Sequence, residues 1–188
     1  MAWKNTNHRY GTISTLLHWL MFALIAAGYA FIELRELFPK GSDPREAMKA
    51  LHFMLGLSVL LLALPRLLIR ASSITPTIEP EPVAWQQIAA RWTHLSLYLF
   101  MLIMPLLGWT LLSAAGKPIP FFGLQLPALV GENKDLAELV KEAHETLGTI
   151  GYVLIGLHGL AAFFHHFIQR DNTLTRMLPL SKANKKIP

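Results

Sequence analysis

Residues 10–32, 50–65, 92–116 and 146–169 contain no Lys, Arg, Asp or Glu, and apolar side chains dominate each run. A helix needs about 20 apolar residues to cross the core of a bilayer. Three runs meet that length outright, and the run at 50–65 meets it if Arg66 and Arg70 snorkel to the interface. In lipid every backbone polar group must be satisfied within the protein, so such runs fold as helices. The expected fold is an all-α membrane protein, a four-transmembrane-helix antiparallel bundle. Only 15% of the residues are charged, against roughly 25% in a soluble domain, which disfavours a solvated globule. The first run is too long for the apolar centre of a signal peptide and has no small-residue cleavage site before Glu33, so it is expected to stay.

Four spans bring both termini to one face. That face would hold the N-terminus, the loop from about Arg66 to Arg91 and the tail after Arg170, with ten Lys and Arg against three Asp and Glu. The other face has seven against nine. The excess of Lys and Arg assigns both termini to the cytoplasm. The pI of about 9.6 is then mainly a signal of topology, and nucleic acid is excluded as a partner. Residues 1–180 form the membrane domain, and the basic tail 181–188 is expected to be disordered. The proline-rich stretch Ile74–Pro82 cannot be helical. Residues 117–133, with three prolines and an apolar run, are expected to lie along the outer interface. Lys134 to Glu145 reads as a helix projecting beyond the bilayer into the fourth span. Trp19, Trp85 and Trp92 read as aromatic anchors at the membrane surface.

Five of the eight histidines, His18, His52, His94, His144 and His158, lie in or at the mouth of the spans. Ionisable side chains inside a bilayer are costly and usually functional; the bland alternative is a neutral imidazole bonded between helices. Depth pairs four of the five. His144 and His158 are separated by about 21 Å along the fourth helix and share one face of it. His18 lies about 13 Å, and His158 about 18 Å, from the cytoplasmic end. His52 and His144 both lie towards the outer end. The pairs are thus His18 with His158 and His52 with His144.

Two facing imidazoles suit a six-coordinate haem, whose porphyrin supplies four nitrogens, whereas bare zinc or di-iron sites need more protein ligands. With no cysteine in the chain, thiolate zinc sites, iron–sulfur clusters and covalently attached haem are excluded. The expected cofactors are two haem b, with His18, His52, His144 and His158 as axial ligands. Ala26, Ala27, Gly28, Gly56, Gly148, Gly151 and Gly156 would either let a macrocycle approach or serve close helix packing. A histidine-lined metal or proton transporter is the rival reading.

Leu17-His18-Trp19 after Tyr10-Gly11, Glu33-Leu34-Arg35 and His52 form one part of a broader pattern. His94-x-x-x-Tyr98, Gly116-Lys117-Pro118, His144-Glu145 and His158 continue it, and the ending His165-His166-Phe167-x-x-x-Asp171-Asn172-Thr173-Leu174-x-Arg176-Met177 completes it. From about Tyr10 to Pro179 the chain resembles the prokaryotic cytochrome b561 family, and most of all its stand-alone, superoxide oxidase-type members. The resemblance implies a di-haem protein of the bacterial inner membrane that moves electrons between ubiquinone and an outer-face partner. That partner would be superoxide, a small anionic oxygen species, or a periplasmic redox protein. In the second case the chain is a carrier subunit for a dehydrogenase or hydrogenase.

Haem propionates are anionic and need cations. Arg35 and Lys117 are candidates for contact with the outer haem or the substrate, against simple interfacial snorkelling. Lys40, Arg45 and Lys49 would add a local attraction for superoxide. His94, close to the inner haem with Trp92 and Tyr98, is a candidate for ubiquinone or an inner propionate, against a structural bond between helices. His165 could serve proton uptake; His166 reads as interfacial and His8 as solvated.

Overall fold

The computed structural model describes residues 3–178, so the expected tail at 181–188 lies outside the described residues. Four long helices account for most of the chain: α1 Thr12–Leu34, α2 Asp43–Ser72, α3 Ala84–Ala114 and α4 Lys134–Phe164. All four are long and apolar enough to cross a membrane. Exposed Leu61, Leu64, Leu68, Leu157, Leu160 and Phe163 give the outside of the bundle the apolar surface that lipid requires. The chain is a multi-pass membrane protein.

Local chemistry sets the helix ends. Ser42 precedes α2, with Asp43 and Glu46 in its first turn and a proline at its start, as the positive end of a helix dipole favours. Asn133 caps α4, its side chain accepting from the Leu136 backbone N–H at 3.0 Å. After α3, Gly116 takes φ +63°, a left-handed conformation that ends a helix at little cost only for glycine. Pro65 and Pro105 lie inside α2 and α3, where neighbouring helices in a membrane bundle can compensate for the missing N–H.

The helices pack in chain order: α1 against α2, α2 against α3, and α3 against α4. One apolar cluster joins Met21 of α1, Val59 and Ala63 of α2, and Met101 of α3. Between α4 and α1 the closure runs through long side chains. Tyr29 Oη donates to the Gly148 carbonyl at 2.7 Å, and Tyr152 Oη donates to Glu33 at 2.8 Å.

The two ends differ. At the end away from the termini, residues 117–133 do more than lie along the interface. Pro120–Phe121 pairs antiparallel with Leu124–Gln125, and the segment drives Ile119 into a cluster with Leu57 and Leu112. The reason is economy of polar groups: a hairpin satisfies its own backbone while delivering apolar side chains to the open end of the bundle. Trp109 Nε1–H donates to the Pro127 carbonyl at 2.9 Å and holds the loop down.

At the terminal end, the N-terminal loop, the connector before α3 and the chain beyond α4 form a cap. Beyond α4 the chain widens into a π-helical turn, His165–Gln169, and reverses at Arg170 with φ +56°. Tyr10 N–H donates to the Arg176 carbonyl, Trp19 Nε1–H to the Met177 carbonyl, and Arg176 to the Pro76 carbonyl. Asn172 ties this segment to the connector, its side chain accepting from the Glu79 N–H at 3.0 Å. Trp19, expected as a surface anchor, is instead a half-buried tether of the C-terminal segment, because its indole N–H is spent on a backbone carbonyl. Trp85 and Trp92 stay exposed. His165, considered for proton uptake, is paired with the buried Asp171.

Burial alone would raise the Asp171 carboxyl. The bonds from His165 and Thr173 outweigh it and hold the group below its ordinary value of 3.8. A carboxylate lowered on folding contributes stability above its unfolded value, and that contribution is lost as pH falls through the folded value. Asp171→Asn is therefore expected to destabilise the cap at neutral pH by about 1–3 kcal/mol. Thermal unfolding in detergent checks this, with the gap from the parent protein closing as the pH is taken below 3.8.

Candidate functional site

Histidines from three helices converge on α4 at two levels. Towards the hairpin end, His52 of α2 faces His144 of α4 with ring centroids 6.2 Å apart and an interplanar angle of 82°. Towards the terminal end, His18 of α1 faces His158 of α4, also at 6.2 Å, with an angle of 70°. His94 of α3 joins the second level, 5.5 Å from His158. The structure thus brings together the two pairs that depth matching suggests and adds His94 beside one of them.

The surroundings of each ring limit what it can do. His52 Nδ1 lies 2.9 Å from the Gly28 carbonyl. A carbonyl only accepts, so Nδ1 carries the proton and Nε2 keeps its lone pair, the usual arrangement behind a metal-binding imidazole. His144 has the Met104 backbone as its hydrogen-bond neighbour. Gly108 packs against this ring, where a Cβ would lie in ordinary contact with His144 Cε1 at 3.4 Å. His18 is held differently, with Arg66 Nη2 3.0 Å from its Nδ1. Arg66 was expected to snorkel; it turns inward instead, over the ring of Tyr98 at 6.0 Å. An interior acceptor and an aromatic face offset its desolvation.

Two imidazoles bonded through one nitrogen each to opposite sides of a metal, at about 2 Å per bond, have centroids about 6 Å apart. Both pairs have that separation. Among the described residues no group of three or more His, Asp or Glu converges as a bare ion would require, whereas a porphyrin needs only the two. Gly56, one turn along from His52, has no heavy atom within 4 Å of where a Cβ would lie, which suits the approach of a macrocycle. The donor set and its spacing fit haem b.

Not every small residue serves that purpose. A Cβ on Gly151, halfway between His144 and His158, would collide with Tyr29 Oη and the ring of Phe100. Gly151 is therefore a packing residue, and these two aromatic side chains fill the layer between the two levels. Gly156 is exposed and, two positions from His158, points away from it.

Around the hairpin end the expected cations are mostly engaged. Arg35 Nε bonds Glu36 at 3.0 Å, and Lys49 bonds Glu46 at 2.6 Å. Arg45 is buried, with Nη2 2.8 Å from Glu36 and Nη1 donating to the carbonyls of Arg35 and Phe38. It fixes the turn between α1 and α2, so its charge is spent on structure. Lys117 is exposed at the foot of the hairpin. The role of Glu36 was not legible in the sequence; only its position one residue after Arg35 and nine before Arg45 hints at it.

Four membrane helices carrying paired interior imidazoles define a b-type membrane cytochrome, an electron carrier. The model of the prokaryotic cytochrome b561 family matches residues 9–180, and the chain belongs to that family, which implies haem b. Cytochrome b561 homolog 1 of Escherichia coli K12 is 42% identical over 175 residues, covering 93% of this chain and 99% of the relative. The probable superoxide oxidase CybB of Yersinia pestis is 36% identical, covering 93% and 98%. Cytochrome b561 homolog 2 of E. coli K12 is 32% identical, covering 98% of each.

Gly151→Val is expected to push Tyr29 and Phe100 out of place. The cost is about 1–3 kcal/mol for overpacking, read as a lower thermal midpoint in detergent, with Gly151→Ala falling between.

Proposed function

We propose that the chain is a superoxide:ubiquinone oxidoreductase of the bacterial inner membrane, with both termini in the cytoplasm and two b haems in the bundle. The observation that carries this reading is the pair of 6.2 Å imidazole spacings at two levels of one helix. His52 and His144 hold the outer haem; His18 and His158 hold the inner one. When bound, the haems supply one-electron carriers linking the two faces of the membrane.

The remaining roles belong to the protein. Two superoxide anions each give up one electron and leave as dioxygen; one ubiquinone takes the two electrons and two protons and leaves as ubiquinol. Arg35 and Lys117 attract the anion at the outer mouth, raising its rate of encounter in a salt-dependent way. His94, beside His158, binds the quinone or an inner propionate. The relation to the Yersinia pestis protein supports superoxide as donor.

A second reading makes the chain a carrier for a periplasmic dehydrogenase or hydrogenase. The exposed Phe122 and Leu124 at the tip of the hairpin favour it, since an apolar tip at the outer face suits a docked protein.

Stopped-flow mixing of oxidised protein with superoxide separates the two readings. The oxidoreductase reading expects reduction near the diffusion limit, slowing with ionic strength and followed by reoxidation with ubiquinone; slow, salt-independent reduction favours the carrier. His144→Ala is expected to halve the haem retained per chain, as measured by haem absorbance against protein. Loss of both haems from a folded protein would count against the pairing.

A further inference from the structure

Arg66 and Arg70 lie one helical turn apart near the end of α2, and neither is paired with a carboxylate among the described residues. Arg70 bonds the Thr75 hydroxyl. Arg66 has its Nη2 on His18, its guanidinium over Tyr98, and its Nε buried with no partner. Both arginines line a cavity of about 70 Å³ together with Tyr10, Ser14, His94 and Tyr98. At roughly 30 Å³ per water, that is room for a carboxylate. Two cations around a small cavity, one with an unsatisfied buried N–H, make an anion site.

The contact with His18 adds a second, independent argument. A guanidinium has only donors, so His18 Nδ1 must accept from Arg66, and a neutral His18 then carries its proton on Nε2. That is the opposite tautomer to His52, whose Nδ1 donates to Gly28. A ring protonated on Nε2 has no lone pair there for iron. His18 can take the tautomer of His52 where Arg66 has a better acceptor than a ring nitrogen. An anionic oxygen in the adjacent cavity is such an acceptor.

We propose that Arg66, with Arg70 beside it, seats the carboxylates of the inner haem and so positions that haem against His18. The proposal rests on His18 and His158 as the inner ligands. It makes Arg66 a positioning residue, acting on the iron through the propionates. The same anionic chemistry is offered by a lipid phosphate, which the test must separate.

The experiment is an optical redox titration of the full chain, purified with haem in detergent, together with haem content after extended washing and assay of co-purified lipid. Removing a cation from beside a haem favours the ferric state. In Arg66→Gln the component that survives in His144→Ala is expected to move to lower potential, and its haem to wash out several-fold faster. The other component should keep its potential. Arg66→Lys, which keeps the charge, should restore the potential but retain haem less well than Arg66, having no fork for two oxygens. Arg70→Gln, at an exposed position, should move the same component in the same direction by less, and serves where Arg66→Gln does not fold. Unchanged potentials and full retention in folded Arg66→Gln, or no shift in Arg70→Gln, would overturn the proposal. So would loss of bound anionic lipid without change at either haem. A parent protein lacking any component that depends on His18 would instead overturn the ligand assignment, and the proposal with it.

Discussion

Water is absent from the core of a bilayer, and every polar group placed there must find its partner within the protein. That constraint shapes the interior of this bundle. The Tyr29 hydroxyl reaches across to the Gly148 carbonyl, His52 to the Gly28 carbonyl, and Arg66 to His18. Each bond ties two helices, and the tyrosine bonds, with Tyr152 to Glu33, span the one side where helices do not pack closely. The polar interior serves as cross-bracing, and the side left open to side chains, between α1 and α4, is where imidazoles from both helices face each other.

The sequence makes the spans and the histidine levels legible for a simple reason. Span length depends on the bilayer, and depth depends on the constant rise of a helix, so counting residues is enough. His94 is legible as a neighbour of the inner level by the same count. Arg66 is not, since a long cation near a helix end can snorkel or turn inward, and only the facing ring of His18 decides between them. The same holds for Arg45. It reads as one of several outer cations until Glu36 and the carbonyls of the α1–α2 turn are seen to claim it. Loops are the least legible part. The prolines of 117–133 exclude a helix but carry no signal that Ile119 turns into the bundle, because its partners Leu57 and Leu112 are distant in sequence. The glycines divide between roles for the same reason: Gly151 and Gly56 differ only in what stands opposite them.

The two ends of the bundle are built to different plans. The terminal end is locked by long-range backbone bonds among the N-terminal loop, the 74–79 connector and the C-terminal segment, around the buried side chains of Asp171 and Arg176. Burial lowers Arg176 from its ordinary value, against the opposing influence of Tyr10 and Asp171, and it keeps its charge within the cap. The hairpin end is closed by apolar contacts and a few hydrogen bonds, with exposed Phe122, Leu124 and Lys117 at its surface. A braced terminal end suits a ligand held within the membrane, and a lightly anchored hairpin end suits exchange with partners from solution.

The separation of the two histidine levels along α4 has an electrical consequence. Fourteen residues of helix cover about 21 Å, most of the roughly 30 Å thickness of the hydrocarbon core. With the two haems proposed at these levels, an electron passing from His144 to His158 would move through most of the membrane's voltage drop. A full crossing against 100 mV costs about 2.3 kcal/mol, so this partial crossing is opposed by about 1.5 kcal/mol when the cytoplasm is negative. Tyr29 and Phe100 fill the layer between the levels at Gly151. Under the proposed function, flow from outside to inside would charge the membrane and slow as the membrane becomes charged, so the energised state of the cell would act as a brake on the protein.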